Sequence, residues 1–333
     1  MTLLVFYKLL AIFATVALGW VAGRLRWLQA GGPKGDDTAI GDPARLLGNV
    51  AFMIFVPALL FRTMVRLDVA ALPWPTITAF FAPALLFLLL VYGWQRRLAR
   101  HAGAADAQPS VPAIRTITAT YGNALQLGIP MAAALFGEAG LALHIALISL
   151  HGLLLLTVLT VLVELDMARA DQAATLARTA FATARNTLIH PVVLPVLAGL
   201  LWNATGLGLH PAADEALVGL GQAVVPVCLV LIGLTLAQYG LRGQVSTALR
   251  LGALKLLALP ALVLATAHWG FGLNGTPLGV VVMMAALPVG SNALIFAQRY
   301  GALQAEATAA IVFSTLGFAI TATFWLAVLA TLA

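Results

Sequence analysis

Two short stretches of this sequence combine helix-breaking residues with side-chain amides and a hydroxyl. The first runs Tyr121-Gly122-Asn123-Ala124-Leu125-Gln126-Leu127-Gly128-Ile129-Pro130, and the second Ala286-Leu287-Pro288-Val289-Gly290-Ser291-Asn292-Ala293. Proline removes an amide donor and clashes with the preceding turn, and glycine weakens the helix further. Asn and Ser beside such breaks bond either the freed backbone or a ligand. A helix interrupted part-way also presents a half-helix N-terminus, whose amides and dipole attract an anion. The chemistry expected here is non-covalent capture of an anion, with Asn123, Gly128, Pro130, Pro288, Ser291 and Asn292 as the binding residues. A simple kink satisfied by neighbouring helices is the alternative. It is the ordinary reading of Pro57, Pro83, Pro195, Pro226 and Pro260, but the recurrence of Asn at two matched breaks favours a site.

Other residues add charge and proton chemistry. Lys255 lies five residues before Pro260 inside an apolar run, where it either balances a bound anion or snorkels to the interface near Arg250. Lys8 reads as a snorkelling residue. His144 and His151 are seven apart and share a helix face, so they offer either a proton relay or a hydrogen-bonded structural pair. Glu138, Glu164, Asp166 and Glu306 all fall near the ends of apolar runs. A cation carrier usually holds a carboxylate in mid-membrane, so a cationic substrate is disfavoured. The single cysteine, Cys228, excludes an intrachain disulfide framework and any multi-Cys metal site. No His-Glu-x-x-His and no Gly-x-Ser-x-Gly occurs, so neither an enzyme nor a resident cofactor or metal is expected.

The elements that position these residues follow from composition. Of 333 residues, 62% are hydrophobic and 9% are charged, with a mean hydropathy of +0.99. A soluble domain carries about 25% charged residues, so lipid must cover much of this chain. The formal charge of +6 does not point to nucleic acid, because the Lys and Arg fall in gaps between apolar runs. Runs long enough to cross a bilayer, about 20 residues each, lie near 3–22, 46–65, 76–95, 114–136, 139–163, 187–206, 215–237, 247–269, 276–299 and 305–332. Only helices satisfy their own backbone over such runs, which predicts an all-α polytopic membrane protein of ten spans. The stretch 167–186 reads as a cytoplasmic amphipathic linker joining halves 1–166 and 187–333.

Charge placement predicts the orientation. Gaps after odd-numbered spans, with the span ends that border them, hold Arg24, Arg26, Lys34, Arg45, Arg96, Arg97, Arg100, Arg115, Arg169, Arg178, Arg185, Arg242, Arg250 and Arg299, against only Arg62 and Arg66 at the even-numbered ones. This asymmetry places both termini outside the cytoplasm. An internal repeat is also visible. Val56-Pro57 matches Val225-Pro226, and Asn123-Ala124-Leu125 matches Asn292-Ala293-Leu294, both offset by 169 residues. With five spans per half, the halves insert in opposite orientations.

At these residues the chain resembles the auxin efflux carrier family of membrane transporters, which includes bacterial malonate and malate permeases. The resemblance rests on Asn49-x7-Pro57-Ala-Leu-Leu-Phe61, on Gly122-Asn123…Gly128-Ile-Pro130…Phe136-Gly137-Glu138-x-Gly140, on Pro226…Gly233-x-x-Leu236, and on Leu287-Pro288…Asn292-Ala293…Ala297…Tyr300-Gly301. It implies a sodium/proton-antiporter-like fold with crossing broken spans 4 and 9. Spans 1, 2, 6 and 7 would be the scaffold, often dimeric; spans 3–5 and 8–10 would be the transport domain. It further implies elevator-type carriage of small organic anions, auxin-like or carboxylate, across the inner membrane. A channel or sensor for such anions, and a bile-acid-symporter-like sodium-coupled carrier, are the alternatives. The partners implied are a small organic anion, lipid and a second copy of the chain, with no nucleic acid.

Overall fold

The computed structural model describes residues 3–28, 43–67, 72–100, 108–170, 193–239 and 245–332, with 185, 188, 189 and 191. Among them the regular structure is helical: α1 (Leu3–Arg24), α2 (Pro43–Val50), α3 (Val56–Val65), α4 (Trp74–Arg100), α5 (Val111–Thr120), α6 (Ile129–His151) and α7 (Thr157–Ala170). There follow α8 (Val193–Ala204), α9 (Pro211–Tyr239), α10 (Val245–Ala253), α11 (Leu259–Ala265), α12 (Gly275–Ala286), α13 (Asn292–Arg299) and α14 (Gln304–Ala330). Among the described residues six helical runs are long and apolar enough to cross a membrane: Leu46–Val65, Trp74–Arg100, Met131–Ala170, Pro211–Ala237, Val245–Gly270 and Gln304–Ala330. Val193–Ala204 and Gly275–Ala286 are shorter apolar helices.

The 40-residue run Met131–Ala170 is not one straight rod. Gly137 within α6 has φ +64° and ψ −160°, a non-helical conformation that turns the chain between two helical legs. Only glycine adopts such a φ without strain. The turn falls between the sequence-predicted spans 114–136 and 139–163. The predicted span 187–206 is described as a regular helix only over Val193–Ala204. Of the expected linker at 167–186, Met167–Ala170 continue α7 and most of the rest lies outside the described residues. The side chain of Lys8 also lies outside them.

Three prolines share one local solution, whereas Pro83 and Pro226 lie inside continuous α-helices. Wider, π-type turns occupy Ala51–Phe55, Ala124–Gly128 and Leu254–Ala258, and each is followed two residues later by a proline: Pro57, Pro130 and Pro260. The extra backbone residue relieves the ring's clash and the loss of its amide donor. The carbonyl four residues before Pro260, that of Leu256, instead accepts from Trp325 Nε1 of α14 at 2.8 Å.

Glycine sets the closest helix contacts. α1 runs along α9, where a Cβ on Gly233 would lie 2.1 Å from the Val16 carbonyl and one on Gly19 would lie 2.3 Å from the Val230 carbonyl. α8 also approaches α3 closely at Gly199, whose Cβ would stand 2.6 Å from the Phe61 carbonyl. Small residues at such crossings let backbones pack without the hydrophobic drive that water supplies. α12 packs against α4, α6, α11 and α14.

Charged groups gather at the two ends of the bundle. At one end Arg62 and Arg66 share Asp214, and Asn203 donates to the Met64, Val65 and Leu67 carbonyls. At the other, Arg96 and Arg169 flank Asp166, which also accepts from the Tyr92 hydroxyl. There Tyr300 donates to Glu164 at 3.2 Å, and Arg115 pairs with the buried Glu306 through two bonds of 2.9 and 3.1 Å.

Candidate functional site

Both sequence breaks are real interruptions, and they meet. α5 ends at Thr120 and helical winding resumes at Ala124; α12 ends at Ala286 and α13 begins at Asn292. The two extended segments pair antiparallel at Gly122 and Val289. The Asn123 amide donates to the Pro288 carbonyl at 2.8 Å, and the Gly290 amide to the Tyr121 carbonyl at 2.9 Å. The Val289 amide donates to Ser314 Oγ of α14 at 3.0 Å. Thus unwound backbone deep in an apolar bundle finds partners, as it must where water is scarce.

This pairing sets four half-helix ends around one point. α5 and α12 arrive with their carbonyl ends; the π-turn before α6, and α13, depart with their amide ends. Negative and positive dipole termini are therefore juxtaposed. Gly290 is needed for the approach, because a Cβ there would stand 2.8 Å from the Gly122 carbonyl oxygen and 3.0 Å from Tyr121 Cδ1.

A cavity of about 90 Å³ opens beside the crossing. Its walls are Leu59 and Thr63 of α3, Val224 and Val225 of α9, Ser149 and His151 of α6, and the two breaks at Tyr121–Leu125 and Gly290–Asn292. A smaller cavity of about 20 Å³, among α1, α9 and α14, also reaches Asn123 and Ser291. Those two side chains therefore stand between the cavities. The Tyr121 ring lies 4.3 Å from that of His151.

The expected site residues divide on this geometry. Asn123, Ser291, Asn292 and His151 line the main cavity. Pro288 belongs to the crossing through its carbonyl and is absent from the lining. Gly128 lies beneath the cavity, where a Cβ would come 2.3 Å from His144 Nε2. Pro130 stands in the first turn of α6, so the chain interruption itself lies upstream at Tyr121–Asn123. His144 is buried and its Nε2 lies 3.0 Å from the Ala124 carbonyl, away from the lining. Lys255 is neither in the lining nor at an interface. It is 1% exposed, and its ammonium donates to the carbonyls of Ala285 and Leu287 at 2.5 and 2.7 Å. Full burial among helices replaces the snorkelling alternative.

Sequence reasoning passed over three participants. Tyr121 packs its ring beside His151, Ser314 holds the Val289 amide, and Gly290 permits the crossing. Only Gly290 carried a signal, as a glycine inside a Pro/Asn-bearing break. Tyr121 and Ser314 are informative only once the fold brings them to the break. No cluster of three or more metal-ligating side chains occurs among the described residues.

The profile of the family described as "Membrane transport protein" matches residues 4–326. A protein of Rhizobium meliloti (strain 1021) named "Putative malonate transporter" is 30% identical over 139 residues, which cover 41% of this chain and 43% of that one. The similarity thus spans less than half the length of that relative.

Proposed function

Because this chain belongs to the membrane transport protein family, that of the auxin efflux carriers, we propose that it is a secondary carrier of small organic anions. The observation that carries this reading is the hydrogen-bonded crossing of two broken helices, with Asn123, Ser291 and Asn292 facing one cavity. Side-chain amides, a hydroxyl and half-helix N-termini bind carboxylate oxygens without a counter-charge in the cavity wall. A cavity of about 90 Å³ holds roughly six to nine water-sized positions at about 10–15 Å³ each. That suits a compact dicarboxylate such as malonate better than a bicyclic aromatic acid.

In this reading the chain spans the inner membrane ten times as two inverted five-helix repeats, with both termini outside the cytoplasm. α1–α3, α8 and α9 form the scaffold, through which two copies associate. The remaining helices carry the crossing past it in an elevator motion. The cavity's place supports this division: Val56, Leu59, Leu60, Thr63, Val224 and Val225 come from the scaffold helices, and the two breaks and α6 supply the facing wall. His151 is the protonatable side chain in the cavity wall, so a proton relay through it and His144 is the coupling to examine first.

Purified protein in liposomes loaded with unlabelled malonate tests the reading. Saturable counterflow of labelled malonate is expected, with slower exchange for larger aromatic acids. A conductance without counterflow would make the protein a channel; no flux of any carboxylate would overturn the carrier.

A further inference from the structure

Lys255 sits on the π-turn between α10 and α11, enclosed on all sides. The Ala285 and Leu287 carbonyls that hold its ammonium belong to the last turn and C-cap of α12. There intrahelical donors run out and the negative end of the helix dipole falls. Gly122 of the other break faces the same ammonium: a Cβ at that residue would lie 3.3 Å from Nζ. Among the described residues no carboxylate forms an ion pair with Lys255. The positive charge is thus matched by backbone oxygen and dipole alone.

Carbonyl oxygens at an unwound half-helix C-terminus are the donors that hold sodium in discontinuous-helix carriers. Here a side chain already occupies them. We propose that Lys255 is a tethered cation: its ammonium takes the place of a bound inorganic cation at the crossing, holds the C-terminal end of α12, and leaves the protein with no sodium requirement. Lys255 is then a positioning residue. It acts from behind the crossing, outside the cavity wall, and its ammonium favours an anion on the far side of the paired breaks. Sodium independence of transport rests on the carrier reading; occupation of the cation position does not.

The decisive measurement is melting temperature of purified protein in sodium, methylammonium or N-methyl-D-glucamine chloride at equal ionic strength. Wild type should be indifferent to the cation. Lys255→Ala removes the stem and the charge and leaves both carbonyls facing a void. It should melt lower in N-methyl-D-glucamine and recover by about 2–4 °C in methylammonium or sodium at concentrations well above the dissociation constant. A folded Lys255→Ala protein that gains nothing from either small cation overturns the proposal. If that variant does not survive purification, the wild type decides. Stabilisation by sodium over N-methyl-D-glucamine would refute the tethered cation, and indifference supports it. Malonate uptake by wild type should be unchanged within about two-fold when sodium is replaced. Absence of any wild-type uptake would count against the carrier, leaving the melting result to stand or fall separately.

Discussion

Gly290→Ala should damage the crossing more than any other single methyl group added to the breaks. The new Cβ would stand 2.8 Å from the Gly122 carbonyl oxygen and 3.1 Å from its carbon. Backbone cannot swing aside as a side-chain tip can, so the segments must separate by several tenths of an ångström. Two amide bonds, 2.8 Å from Asn123 to Pro288 and 2.9 Å from Gly290 to Tyr121, would lengthen together. Overpacking costs about 1–3 kcal/mol, and each weakened buried bond forfeits part of a further 1–3 kcal/mol. A total loss of roughly 2–4 kcal/mol follows from these two contributions. Melting should fall by about 4–8 °C, taking roughly 2 °C per kcal/mol for a chain of this size. Malonate affinity should fall by at least tenfold, since Asn123 and Asn292 ride on the displaced segments. Gly219→Ala in α9, where nothing lies within 4 Å of the added Cβ, is the control. Melting curves and counterflow for both variants are the assay. A Gly290→Ala protein with control-like melting and affinity would refute the claim that the crossing is held in one tight register.

Asn123→Ala or Asn292→Ala should weaken malonate binding by about 1–3 kcal/mol, one charge-assisted bond, with melting little changed; unchanged affinity in both would put the site elsewhere. Gly128→Ala should destabilise, because its Cβ would fall 2.3 Å from His144 Nε2, and adding His144→Ala should recover most of the loss in a double-mutant cycle. Glu306→Gln should lower stability by about 3–5 kcal/mol, since it leaves the Arg115 guanidinium without its charged partner; a paired Arg115→Met, Glu306→Leu protein should recover melting temperature. For topology, with Cys228 replaced by Ala, cysteines at Ala212 and Gly275 should react with impermeant thiol reagents in intact cells, and cysteines at Gly103 and Ala173 should not. The reverse pattern would invert the orientation.

The helices were legible because lipid makes a simple demand. Long apolar runs with charge only near their ends mark Trp74–Arg100, Pro211–Tyr239 and Gln304–Ala330 without any knowledge of partners. The division of the run from Met131 to Ala170 was legible too, since spans 114–136 and 139–163 are read apart; what a lone glycine does not announce is the positive φ by which Gly137 makes the turn. The breaks were legible for a different reason: Pro, Gly, Asn and Ser together inside an apolar run contradict the helix that the rest of the run demands. Such local conflict is what functional sites leave in sequence.

What composition could not supply was who satisfies whom. A proline in a run says that one carbonyl, four residues upstream, loses its amide; it does not say that Trp325, sixty-nine residues from Leu256, takes that carbonyl. The same gap separated the two readings of Lys255. Its position, five residues from a proline and five from Arg250, fits a stem reaching the interface as well as one turned inward. The choice is made by Ala285 and Leu287, thirty and thirty-two residues away, whose carbonyls lack intrahelical donors because α12 ends at Ala286, two residues before Pro288. The break and the lysine therefore explain each other. A half-helix C-terminus in an apolar bundle needs positive charge, and a buried ammonium needs oxygen; each costs several kcal/mol when left alone. Either feature in isolation would be a defect. Together they form one unit, and for that reason the perturbation of one should be read through the other.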